Sequence, residues 1–138
     1  MPIGADNLFD ALYELVNPII PLAADYAAQI PLPFARYVSL GENYEYTTRG
    51  APSPLARDVV VHGEFQISFF ASNREVARQL SRSVMSILDD AMLYYNDGRL
   101  MYINPISAIM IPEPRTAPGG PTVFHRAVTF RFNEQRRI

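Results

Sequence analysis

Three features predict an α+β fold, with a mostly antiparallel sheet of about four strands and helices packed on one face. The first is Asp58 to Phe70, where Val59, Val61, Phe65, Ile67 and Phe69 alternate with Val60, His62, Glu64, Gln66 and Ser68. That period of two belongs to an antiparallel strand covered on one side and wet on the other. The second is the next segment, in which Val76, Ala77, Leu80, Val84, Ile87, Leu88 and Ala91 recur at helical spacing and form a stripe able to lie on the covered face. The third is the order of elements: helix, strand, long loop, strand, helix, strand, strand. Strands joined by loops rather than crossover helices pair antiparallel.

Each element has a local reason. Asp6 or Asn7 can cap a first helix with Leu8, Phe9, Leu12, Leu15 and Val16 on one stripe. Pro18 and Pro21 remove donors and crowd the preceding turn, so a break is expected near Asn17, with a second helical piece from Leu22 to Ala28. After Pro31 and Pro33 a strand runs from Phe34 to Leu40, near a sheet edge because of those prolines. Gly41 to Arg57 reads as a long loop, or as one containing a strand extension around Tyr44 to Thr48. Ser72 and Glu75 have the spacing of a capping box at the start of the long helix, and Asn96, Asp97 and Gly98 are its expected stop. Arg99 to Ile111 predicts a strand bent or bulged at Pro105, since proline cannot donate within a ladder. Pro112 to Pro121 is a proline-rich connector, and Thr122 to Asn133 a closing strand with Phe124, Val128, Phe130 and Phe132 in one phase.

At 138 residues one domain is the default, spanning 1–138 with long loops at 41–57 and 112–121. The hydrophobic fraction of 49% is that of a globular protein, and no apolar run approaches the roughly 20 residues that span a bilayer. The N-terminus lacks the basic-then-apolar order of a secretory signal. The chain has 0 Cys, which excludes disulfides, thiolate catalysis and cysteine metal sites and fits a reducing compartment. A formal net charge of −2 exerts no overall pull on nucleic acid, leaving only a local basic patch for such contact.

Catalytic and cofactor signatures are missing. Asp89 and Asp90 are adjacent on the predicted helix and diverge by about 100°, so a solvated helix face is their plainer role. His62 and His125 lie on strands, but no third ligand accompanies them. Gly119-Gly120 has no strand-to-helix context for a phosphate loop, and the nucleophile-elbow and zincin strings do not occur. No enzyme, cofactor or metal is expected.

The surface signals are richer. Arg74, Arg78 and Arg82, four apart, share one side of the long helix, where they can face phosphates, pair with Glu75 or meet a partner's carboxylates. Tyr44, Tyr46, Tyr94, Tyr95 and Tyr102 supply amphipathic aromatic groups of the kind enriched at interfaces, with packing at the core edge as the alternative for each. The two proline-stiffened loops look like arms for a neighbour.

Several stretches, taken in order, resemble one family. They are the leading helix, Pro31-Leu-Pro-Phe-Ala-Arg-Tyr-Val38, the strand ending Phe65-Gln-Ile-Ser-Phe-Phe70, the helix start Asn73-Arg-Glu-Val-Ala-Arg78, and the closing Thr122-Val-Phe-His-Arg-Ala-Val-Thr-Phe-Arg-Phe132. Together they resemble the tail terminator and tail completion proteins of tailed bacteriophages, in which a helix, a P-x-P and a strand precede a second strand, a helix and a closing hairpin. The resemblance covers most of Asp6 to Phe132 and is one of order and pattern. The proline region Pro18 to Pro21 and the length of the loop after Leu40 depart from it.

The resemblance implies a small virion subunit that assembles into a ring, by family expectation a hexamer, capping the finished tail tube and meeting the neck proteins at the base of the head. Its work is binding. Strand edges are the natural seams between such subunits. Tyr44, Tyr46 and Arg49 are the first candidates for contact with adjacent proteins, and Arg74, Arg78 and Arg82 the second, as a charge-paired face between subunits. DNA passes through the lumen of such a ring without sequence-specific binding. Another head–tail connector, or a cellular interaction module needing no ring, are the rival readings. A pocket joining His62, His125 and Glu64 would favour a small-ligand enzyme.

Overall fold

The computed structural model describes residues 8–24, 32–46, 58–94, 100–110, 115–116 and 122–137. Its elements are α1 (Leu8–Val16), β1 (Leu22–Ala24), β2 (Phe34–Tyr46), β3 (Asp58–Ala71), α2 (Arg74–Leu88), β4 (Ala91–Tyr94), β5 (Leu100–Met110), β6 (Arg115–Thr116) and β7 (Thr122–Arg137). Six strands run in the order β1-β2-β3-β7-β5-β4, with β6 beside the start of β7. This overturns the expectation of about four mostly antiparallel strands with helices packed on one face. The protein is mostly sheet, a mixed half-barrel in which β1 pairs parallel to β2. The helices are additions to that sheet.

Two strands account for the difference in number. Leu22 to Ala24, expected as helix, instead pair with Ala35 to Tyr37. The chain is steered there by Asn17: its backbone N–H still donates to the Tyr13 carbonyl, while its side-chain oxygen accepts from the Leu22 N–H at 3.1 Å. The break at Pro18 thus falls where proline chemistry requires, but the chain beyond it becomes extended rather than helical. At the other end, α2 stops at Leu88, well before Asn96. Asp89 caps it, Asp90 takes φ 53 and its N–H donates to Asn104 Oδ1 at 2.9 Å. Left-handed backbone at Asp90 ends the helix, so Asp89 and Asp90 occupy a turn, not a helix face. Ala91 to Tyr94 then pair with Leu100 to Ile103 as β4.

The long central strand appears as expected. In β3 Val61, Phe65, Ile67, Phe69 and Ala71 are all buried, and His62, Glu64 and Gln66 point to the other face. β7 matches it residue for residue, from Asp58 opposite Arg137 to Ala71 opposite Phe124. Phe65 stacks on Phe130 at 5.1 Å between ring centres and leans on Phe132 at 6.0 Å and on Tyr37 at 5.6 Å. Each such pair adds about 0.5–1.5 kcal/mol beyond the burial of its area. Gly63 makes room within this cluster: a Cβ there would collide with the tip of the Phe132 ring.

Helix α2 lies across β3, β7 and β5. Its capping residue is Asn73, not Ser72: Asn73 Oδ1 accepts from the Glu75 N–H at 2.8 Å and satisfies one of the free donors of the first turn. Its buried stripe is Ala77, Ser81, Val84 and Leu88, while Val76 and Ile87 are exposed. Ser81 is tolerated there because its hydroxyl donates to the Arg78 carbonyl at 2.8 Å. Helix α1 buries Ala11, Leu12 and Val16 in the same core and brings Phe9 to 5.7 Å from the Tyr37 ring.

The flanking strands are less regular. β2 continues through Tyr46, so Gly41 to Tyr46 belong to the strand, with a bulge between Ser39 and Gly41. β5 bulges between Pro105 and Ser107, at the proline where the sequence predicts it. Within the proline-rich connector, Arg115 and Thr116 pair with Val123 and Thr122.

Candidate functional site

The sequence-predicted interface residues fall into two separate groups. Tyr44 lies on the far part of β2, exposed, and its hydroxyl donates to Glu42 Oε2 at 2.7 Å. The Tyr46 backbone pairs with Val59; Arg49 lies outside the described residues. Arg74, Arg78 and Arg82 are all exposed on α2. The Arg74 guanidinium sits over the Phe124 ring at 5.5 Å, and Arg78 Nη1 is 3.9 Å from Glu75 Oε2. That second contact is a long, solvent-exposed pair of the kind that contributes little.

Beneath this row lies a residue that the sequence patterns did not single out. Arg126 occupies the same phase of β7 as Phe124 and Val128, on the side covered by α2. Burial lowers its pKa first, and repulsion from Arg82 and Arg78 lowers it further. Its buried Nε has no hydrogen-bond partner among the described residues. A charged residue in the apolar phase of a strand was the available signal. The α2 surface is therefore more basic than the three helical arginines alone suggest.

The opposite face of the sheet holds the other polar cluster. His62 on β3 is bracketed by two acceptors, with Nδ1 2.6 Å from Asn133 Oδ1 on β7 and Nε2 3.1 Å from Glu45 Oε2 on β2. Only the doubly protonated ring donates to both, so the Asn133 contact first and the Glu45 contact second raise the His62 pKa. Arg131 and Glu64 pair nearby at 3.7 Å. His62, Glu64 and Arg131 line an open groove with Leu40, Gly41 and Asn43. His125 is elsewhere: it lies opposite Phe70, about 25 Å along the strand from His62 at the usual rise per residue, and stacks on that ring at 4.4 Å. The sheet does not bring His62, His125 and Glu64 into one pocket. Among the described residues no three His, Cys, Asp or Glu side chains converge to hold a metal ion.

The apolar surface has a pattern of its own. Val38, Leu40 and Tyr44 are exposed on β2, Tyr102, Ile106 and Ile109 on β5, and Met92 on β4. The two central strands, β3 and β7, expose no large hydrophobic side chain among the described residues. Among those residues, too, no helix is long and apolar enough to cross a membrane.

No family model and no curated protein matches the sequence. Among solved structures, the chain is similar to one from the "Virion of native gene transfer agent (GTA) particle", with 19% sequence identity and a TM-score of 0.54 over 96% of this chain and 87% of that one. At that identity, what the two share is the fold over nearly their whole length.

Proposed function

We propose that this chain is a structural protein of a tailed virion, a tail terminator whose hexameric ring caps the tail tube and joins it to the neck and head. The observation that carries this reading is the likeness, over 96% of the chain, to a component of a gene transfer agent virion. It agrees with the independent resemblance of the sequence to tail terminator and tail completion proteins. The surface chemistry points the same way. The groups gathered on the sheet are ion pairs and hydrogen-bonded acceptors, whereas the exposed apolar side chains lie on flanking strands, where neighbours can cover them.

In this role the protein is made in the host cytoplasm and works in the virion by binding. One surface of the ring stops tube growth and another meets the connector, while DNA passes through the lumen without sequence-specific contact. Tyr44, Tyr46 and Arg49 meet the adjacent proteins. Arg74, Arg78 and Arg82, with Arg126 behind them, form a basic face that takes carboxylates of a neighbouring subunit. Another head–tail connector is the second reading, because the similar structure names the particle and not which of its components the chain is.

The test is the mass of the purified protein by native mass spectrometry, alone and with tail tube subunits. A hexamer, or a monomer that forms rings on tubes, supports the terminator reading. Rings that bind a portal or connector ring and ignore tubes support the second. A monomer indifferent to both overturns the two together.

A further inference from the structure

Among the described residues the half-barrel ends in two open flanks. β1 covers β2 only at Ala35 to Tyr37, and β4 covers β5 only at Leu100 to Ile103. Beyond those points, residues 38–46 of β2 and 104–110 of β5 have a strand on one side only, among the described residues. Their outer backbone groups therefore face away from the sheet. The two stretches lie at opposite margins of the same sheet, with β3 and β7 between them.

Three properties make these flanks complementary. Direction is the first: β2–β3, β3–β7 and β7–β5 are all antiparallel, so β2 and β5 run opposite ways. If the sheet of one copy continues into the next, β5 meets β2 antiparallel, the more stable ladder. Side-chain character is the second. Val38 and Leu40 on one flank and Ile106 and Ile109 on the other are 40%, 49%, 44% and 59% exposed, and the apolar parts of the two flanks, Val38 to Gly41 and Asn104 to Met110, contain no charged residue, Glu42 and Glu45 lying further along β2. Protein edges left free are ordinarily blunted by charge. The third is the bulges: each flank has one, and each leaves an apolar side chain, Leu40 or Ile106, exposed at the irregularity. A bulge interrupts the ladder and twists the strand. Such a seam is short and relies on side-chain packing as well as backbone hydrogen bonds, and unlimited sheet growth is disfavoured.

We propose that residues 38–46 of β2 in one copy dock against residues 104–110 of β5 in the next, a head-to-tail seam with a second copy of this chain as its occupant. Because the two surfaces differ, the contact is heterologous and closes into a ring when the rotation between copies permits. The inference rests on the ring reading above and adds which strands form the seam.

The chain has 0 Cys, so introduced thiols are unique reporters. Leu40→Cys and Ile106→Cys are made singly and together, with thermal midpoints checked against the parent, and treated with a short bismaleimide under conditions where native mass spectrometry detects the ring. The expected result is no cross-linking of either single variant alone, linked dimers when the two are mixed, and a ladder of multimers from the double variant. Amide exchange over 38–46 and 104–110 should slow at least tenfold on assembly. Self-linking of a single variant would show a back-to-back contact and overturn the proposal. Rings that form with neither linkage nor slowed exchange would place the seam elsewhere, overturning it while leaving the ring reading intact. A protein that stays monomeric with and without tubes removes the ring reading first, and the seam with it.

Discussion

The central strands β3 and β7 and the flanking strands β2 and β5 follow the same alternation but use it differently. In the centre, one phase is buried and rich in aromatic rings, and the other carries the His62–Asn133 and Glu64–Arg131 pairs with no large hydrophobic side chain exposed among the described residues. On the flanks a bulge interrupts each strand, and exposed apolar side chains appear in place of polar ones. The centre holds this protein together; the flanks leave apolar side chains exposed. Regularity follows from burial, since a one-residue slip in β3 would turn Phe65, Ile67 and Phe69 to the other face, whereas β2 and β5 each tolerate an extra residue near mid-strand.

Truncating the centre should have the largest effect. Phe65→Ala removes the ring that touches Phe130, Phe132 and Tyr37, and should cost about 3–5 kcal/mol in urea unfolding. A loss below about 1 kcal/mol would mean that the stacked cluster is not the mainstay of the core. Overpacking the same place comes next: Gly63→Val drives a side chain into the Phe132 ring and should cost about 1–3 kcal/mol. If its thermal midpoint equals that of the parent, the close approach of β3 and β7 at Gly63 is wrong.

The flanks should respond weakly as monomers. Leu40→Ser and Ile106→Ser remove exposed side chains and should change monomer stability by about 0.5 kcal/mol or less, while weakening ring formation. Large destabilisation of the isolated chain would erase the contrast between centre and flank.

The smallest expected effect tests the link across both regions. His62 has a raised pKa and is exposed, with partners on β2 and β7. Its folded pKa lies above its unfolded value, so its contribution to stability is complete below the unfolded pKa, about 6.5, and is lost as pH rises through the folded pKa. Titration of the His62 ring by NMR should give a value above the ordinary histidine value of about 6.5, and Asn133→Ala should lower it more than Glu45→Gln. An unchanged value in both variants would show that the bracket does not hold in solution.

Much of this was legible in the residues themselves. The phase of β3, the break after α1, the bulge at Pro105 and the apolar phase of β7 follow from local rules about alternation and proline. Of the interface candidates, Tyr44 and the α2 arginines were readable as exposed groups; Arg126 stood out only as a charge in the apolar phase of its strand, and its place under α2 was not readable, because a strand's phases do not say which helix lies above them. Local pattern is therefore enough for the central pair of strands, their buried aromatic phase and the start of the long helix to within a residue, because these depend on periodicity and capping. Tertiary contacts were needed to make strands of Leu22 to Ala24 and Ala91 to Tyr94, to carry β2 on to Tyr46 and to curve the sheet into a half-barrel with two open flanks. Short segments with weak preferences take the conformation their neighbours offer: Ala35 to Tyr37 and Leu100 to Ile103 each offer a strand edge to them, and pairing with it outweighs about a few tenths of a kcal/mol of helix propensity.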